Sequence, residues 1–181
     1  MMDARNYSAR ETLRNGLEVT IRAIRTGDRD ALLAAFRELD PRTIRLRFFG
    51  PKKDLSDREL AAATEVDFVR TVALVTCVPD GAGERIIGAG RYVATGSADP
   101  PDRAEVAFTV EEDYQGRGIA SRILRHLAGI AVNTGITRFE AEVLPENAGM
   151  LSVFERCGLP VRQKTADGVV HVTLFLFGGT Q

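Results

Sequence analysis

Residues 115–120, Q-G-R-G-I-A, set two glycines directly ahead of a helical apolar period, and these residue types at this spacing can hold phosphate. Glycine lets the backbone turn so that N–H groups face outward, while the unpaired N–H groups and partial positive charge of a helix start favour an anion. Upstream of the loop, Glu105 lies in the alternating stretch A-E-V-A-F-T-V, opposite the apolar face of Val106, Phe108 and Val110. A carboxylate beside a phosphate cradle is placed to act as a general base. The plain alternative is a glutamate on a solvated strand face. Glu142, on the neighbouring strand, is the second acidic candidate.

Three phosphate-binding patterns compete for the loop. A P-loop needs G-x-x-x-x-G-K-[ST], and no Lys-Ser or Lys-Thr follows Gly118. A dinucleotide fingerprint needs G-x-G-x-x-G/A directly after a strand. Gly116 and Gly118 fit it, and Glu140 lies where a ribose-binding acid is expected, but the third position is Ser121 and residues 111–115 separate strand from loop. The third pattern, Q/R-x-x-G-x-G/A, is satisfied by Gln115, Gly118 and Ala120.

The elements that must position these residues are readable from periodicity. Residues 17–24 alternate as a strand, Thr26-Gly27-Asp28 offers N-cap oxygens to a helix bearing Leu32, Leu33, Phe36 and Leu39, and Pro41 opens a second helix at its first turn. In that second helix Arg42, Arg45 and Arg47 alternate with apolar residues, the pattern of a solvated face over a core stripe. Ser56 and Glu59 form a capping box ahead of a third helix. Strands are expected over residues 70–78, 85–94, 104–110 and 138–144, and a helix carrying Ile119, Ile123, Leu127 and Ile130 precedes the last of these. Asn147 caps a further helix that stops at Gly158, and residues 160–164 and 169–177 form a closing hairpin. The order is β-α-α-α-β-β-β-α-β-α-β-β, a single mixed α/β domain over residues 16–181, with residues 1–15 expected to be a flexible N-terminal tail.

The 181 residues carry 24 Lys plus Arg against 25 Asp plus Glu, a net charge of -1 that gives no footprint for general nucleic-acid binding. No apolar run is long enough to span a bilayer, and the first residues lack the apolar core of a signal peptide. Cys77 and Cys157 are far apart in apolar surroundings, which points to a reducing, cytoplasmic setting. His126 and His171 have no metal-ligand spacing around them, so no metal is expected.

The motif at Gln115, Gly118 and Ala120, with the order of elements over residues 17–177, resembles the GNAT superfamily of acyl-CoA-dependent N-acyltransferases. The stretch E-N-A-G-M-L-S-V-F-E-R-C-G-L is similar to that family's later helix, with Asn147 at the position that contacts pantetheine. Within the superfamily, V-T-I-R-A-I-R-T-G-D, D-P-R-T-I-R-L-R-F-F and A-E-V-A-F-T-V-E-E-D-Y-Q-G-R-G-I-A look most like the catalytic domain of bacterial Pat-type protein lysine acetyltransferases. The resemblance implies the GNAT fold and acetyl-CoA as co-substrate. It implies that Gln115, Gly116, Arg117, Gly118, Ile119 and Ala120 hold the pyrophosphate, that the backbone of Phe108 and Val110 pairs with pantetheine, and that Glu105 is the base. The implied acceptor is a protein lysine, with a small-molecule amine or a non-catalytic acyl-CoA sensing role as alternatives. Pat-type enzymes often carry a regulatory domain, for which the stretch before the first expected strand is too short. Many members of the superfamily place a thiolate-protonating tyrosine where this chain has Phe154, so no general acid is assigned, and no residue pattern sets the oligomeric state.

Overall fold

A computed structural model describes residues 2–177, so residues 178–181, the end of the expected domain, lie outside the described residues. The strands are β1 (Ser8–Thr12), β2 (Glu18–Ala23), β3 (Thr71–Asp80), β4 (Gly83–Thr95), β5 (Arg103–Val110), β6 (Arg138–Val143), β7 (Val161–Ala166) and β8 (Val169–Phe175). The α-helices are α1 (Arg29–Arg37), α2 (Pro41–Phe48), α3 (Asp57–Thr64), α4 (Ile119–Asn133) and α5 (Ala148–Glu155). The strands form one mixed sheet in the order β1-β2-β3-β4-β5-β6-β8-β7. Every neighbouring pair is antiparallel except β5 and β6, which are parallel. A parallel pair needs a crossover, and α4 supplies it.

Local chemistry sets the helix starts. Ser56 accepts from the Glu59 amide while the Glu59 side chain accepts from the Ser56 amide, the expected capping box of α3. Asp40 caps α2 through the Thr43 amide, with Pro41 in the first turn. The β7–β8 hairpin turns through Asp167 and Gly168, both at positive φ, as a two-residue loop of this kind requires.

The apolar stripe of α4, including Ile123, Leu124 and Leu127, belongs to the larger core cluster with Leu74, Tyr92, Phe108 and Phe139. A smaller cluster of Ile24, Ala73, Val75, Cys77 and Ile86 uses the alternate positions of β3, and Ala31 and Ala35 of α1 pack against it. No helix among the described residues is long and apolar enough to cross a membrane.

The N-terminal segment departs from its expected tail character. Ser8–Thr12 forms β1 on the sheet edge, antiparallel to β2 with Glu11 opposite Val19. Its sequence, S-A-R-E-T, has almost no apolar alternation, because an edge strand with little burial needs backbone pairing more than side-chain packing. What fixes it is polar: the Glu11 carboxylate pairs with Arg122, Arg125 and His126, all on α4.

Gly90 shows how closely α4 approaches the sheet. A Cβ there would stand 2.5 Å from Ile123 Cγ2 and 2.8 Å from Phe108 Cδ1, too near for either side chain to keep its position. At Gly129, exposed inside α4, an added Cβ would meet nothing within 4 Å. Gly90→Ala is therefore expected to destabilise by ~1–3 kcal/mol, while Gly129→Ala stabilises by ~0.5–1 kcal/mol, both read from urea unfolding midpoints. A Gly90→Ala variant as stable as the parent would show that α4 has room to move.

Candidate active site

Glu105 and Glu140 form the last pair of the β5–β6 ladder, which begins at Arg103 and Arg138 and covers only three residues of each strand. Beyond that pair β5 stays bonded to β4 as far as Val110, while β6 stays bonded to β8 as far as Val143. The two strands thus part, and the β5 backbone from Val106 onward has no β6 partner. Unpaired strand groups facing a cleft are ready to pair with an extended ligand.

Side-chain alternation along β5 separates two roles. Val106, Phe108 and Val110 are buried, whereas Glu105 is exposed and Ala107 and Thr109 are half-buried on the other face. The Phe108 ring packs against Phe154 of α5, with centroids 6.1 Å apart, and Phe154 is only 1% exposed. Phe154 therefore works as a wedge between the diverging halves.

At the end of β5 the chain passes through a short 3-10 turn at Glu112–Tyr114 and enters the glycine loop. Gly116 and Gly118 have φ of 76° and 85°, conformations that a side chain would strain. Gly118 is the N-cap of α4, and no side chain caps that helix, so its leading N–H groups are left for a ligand. The Gln115 side chain does not face outward as a phosphate donor. Its Nε2 donates to the Val110 carbonyl at 2.9 Å and to Thr43 Oγ1 at 3.2 Å, fastening the loop to β5 and to α2.

A cleft of about 780 Å³ runs from this loop to the parted strands. Its lining includes Glu105, Phe108, Val110, Gln115, Gly116, Gly118, Ile119, Ala120 and Asn147, so these expected site residues share one cavity. Arg117 is the exception: it is absent from the lining, and its guanidinium stacks over Tyr114 at 5.3 Å from the ring centroid. Arg122 is likewise committed elsewhere, donating to the carbonyls of Gly118 and Thr12 and to Glu11. Asn147 caps α5 by accepting from the Met150 amide at 3.2 Å, which leaves its Nδ2 as the polar group not used by the cap. Glu142 also lines the cleft, with His171 Nδ1 3.6 Å away. Among the described residues no cluster of His, Cys, Asp or Glu could hold a metal.

Helix α2 borders the cleft and is tied at both ends. The Asp40 amide donates to Glu112 at 2.8 Å near the loop, and Arg45 bonds Glu146 at 2.5 Å just before α5. Periodicity assigns Arg47 to a solvated face, but the structure puts it in the cleft lining with Glu105. Burial pushes its guanidinium down to about 10, Arg91 adds to the fall, and Glu105 opposes it. An arginine next to an apolar residue gives no sign in sequence of which side a short helix will present.

The profile of the acetyltransferase (GNAT) family matches residues 38–159. An acetyltransferase of Pseudomonas aeruginosa is 32% identical over 162 residues, which is 90% of this chain and 85% of that protein. The acetyltransferase Pat of Mycolicibacterium smegmatis is 34% identical over 146 residues, 81% of this chain and 42% of Pat, so the match spans less than half of that relative. Among solved structures, the GNAT domain of S. lividans PAT superposes with a TM-score of 0.84 at 36% identity, covering 92% of this chain and 95% of that one.

The Glu11 hub behind the loop gives a pH test. Burial pushes the Glu11 carboxyl up, but the hydrogen bonds from His126 and Arg125 outweigh it and hold the group below its ordinary range. A carboxyl lowered in the folded state adds stability above its unfolded pKa and loses that contribution as pH falls through the folded value. Glu11→Gln, which cannot titrate, is expected to melt below the parent at neutral pH, and the gap between the two should close as pH falls beneath the ordinary carboxylate range. Parallel curves from neutral to acid pH would remove Glu11 from the acid response.

Proposed function

We infer, because this chain belongs to the GNAT family of acetyltransferases, that it acetylates protein lysines by direct attack of the amine on acetyl-CoA with Glu105 as the base. Enzymes of this family are acyltransferases that take the acetyl group from acetyl-CoA. The observation that carries the residue assignment is that Glu105, on the last β5 position paired to β6, lines the same cleft as the uncapped start of α4.

The chain's own groups fit the donor. The N–H groups after Gly116 suit a pyrophosphate, and the unpaired β5 edge around Phe108 and Val110 suits an extended amide-bearing arm. Asn147 adds a polar side chain at the cleft wall. A lysine amine with a pKa of about 10.4 is almost wholly protonated at neutral pH, so attack needs a group that takes its proton. Glu105 stands on the open face of β5 to accept it, as the new N–C bond forms and the C–S bond breaks. Protein lysine is favoured as acceptor by the resemblance to Pat-type enzymes and by the likeness to the S. lividans PAT domain and M. smegmatis Pat.

Glu105→Gln is expected to lower acetyl transfer to lysine peptides by ~10²-fold or more while acetyl-CoA binding, read by calorimetry, stays intact. An unchanged rate would take Glu105 out of the mechanism. Transfer by the parent protein to small amines but to no lysine peptide would replace the acceptor assignment.

A further inference from the structure

The β5 face that carries Glu105 continues through Ala107 and Thr109, and both residues border a second cavity of about 360 Å³ as well as the donor cleft. Arg47 and Phe48 also border both spaces. The second cavity lies between the sheet and the helices α1 and α3, with walls that include Leu32, Phe36, Leu39 and Leu55. None of residues 115–120 lines it, although Glu111, where β5 runs into the turn ahead of the loop, does.

Two cations stand at this junction without a bonded counterion. Among the described residues, neither Arg47 nor Arg91 makes a salt bridge or a side-chain hydrogen bond to an acid. Arg91 lines the second cavity and its charge acts on half-buried Arg47, while Glu105 reaches Arg47 only through space. Of the other charges around them, Arg45 pairs with Glu146, Lys52 with Glu59 and Arg85 with Glu111, while Glu105 faces Arg47 across the cleft without a bonded partner among the described residues. Arg91 is exposed and Arg47 stacks over the Phe48 ring at 4.9 Å from its centroid, so solvent and the ring carry part of the cost, but two like charges side by side still favour an anion from outside. The end of α2 shows a second cost. Phe49 has φ 62°, a left-handed conformation rare for a bulky side chain, and it holds Phe48 and Phe49 at the mouth, 39% and 42% exposed.

We propose that this junction selects the acceptor: it takes a protein segment in which a carboxylate side chain flanks the target lysine and pairs with Arg47 and Arg91, while an adjoining apolar side chain enters the second cavity. This rests on the reading of the chain as a lysine acetyltransferase using Glu105. Electrostatic pairing at a half-buried site discriminates more than at an open surface, because a segment lacking the anion leaves the cations covered and unpaired. Arg47 and Arg91 then act as specificity residues. They take no part in moving the proton.

The test uses the intact chain, acetyl-CoA and matched lysine peptides that differ only in an Asp or an Asn beside the lysine, each with a flanking Leu or Ser. The expected kcat/KM favours Asp over Asn by ~10-fold and Leu over Ser by a smaller factor. Arg47→Gln and Arg91→Gln should each bring the Asp-to-Asn ratio towards one. If Arg47→Gln does not fold, as judged by circular dichroism, Arg47→Met and Arg91→Gln carry the same ratio measurement. Equal parent rates on the Asp and Asn peptides, or a ratio that survives both substitutions, would overturn the inference; equal Leu and Ser rates would remove the cavity from it. Failure of the parent protein on every lysine peptide, with acetyl-CoA still bound, would instead overturn the lysine reading and this inference with it.

Discussion

The parting of β5 from β6 after the Glu105–Glu140 pair is the constraint on which the rest of the site depends. Strands joined along their whole length would leave no backbone groups for an extended donor and no depth for a cleft. Here β5 follows β4 to Val110, and β6 follows β8, so each strand satisfies one edge while the facing edges separate. Phe108 and Phe154 fill the inner part of the gap with aromatic surface, which keeps it open at the front while the interior stays packed. The crossover through α4 then brings the uncapped helix start to the carboxyl end of β5, beside the opening.

Because the loop after β5 is rich in glycine, its own chain does little to hold it, and distant segments do so instead. Gln115 bonds back to Val110 and across to Thr43, and Glu112 accepts from the Asp40 amide. From behind, Arg122 joins the Gly118 and Thr12 carbonyls, and Glu11 joins Arg122 to Arg125 and His126. The tie from β1 explains why a polar edge strand is part of the domain. Its contribution is to the placement of α4 more than to buried area.

Much of this is legible in the sequence because it is local. The capping box at Ser56 and Glu59, Pro41 opening α2, Asn147 capping α5, and the alternation that puts Glu105 opposite Phe108 all depend on residues a few positions apart. What escapes depends on long-range contact. β1 lacks apolar alternation, and its partners, Glu11 with Arg122, lie far apart in sequence. Arg117 matches the motif by position but stacks on Tyr114, because the motif constrains its backbone and leaves the side chain free to turn outward. Arg47 looks solvated because a one-dimensional pattern counts neighbours along a helix and cannot register that α2 lies across β5.

Phe154, where the family resemblance leads one to expect a tyrosine, shifts the chemical demand rather than removing it. The ring packs against Phe108 and also lines the cleft, where it offers aromatic surface and no proton. On the proposed reaction, the departing thiolate belongs to a thiol with a pKa of about 8.5, close enough to neutrality to leave without a dedicated donor, whereas the attacking lysine begins about two further units away at roughly 10.4. The larger share of proton work therefore falls on the amine. On that proposal the burden falls on the β5 face that carries Glu105, Ala107 and Thr109, the face shared by the cleft and the second cavity, more than on a group of α5.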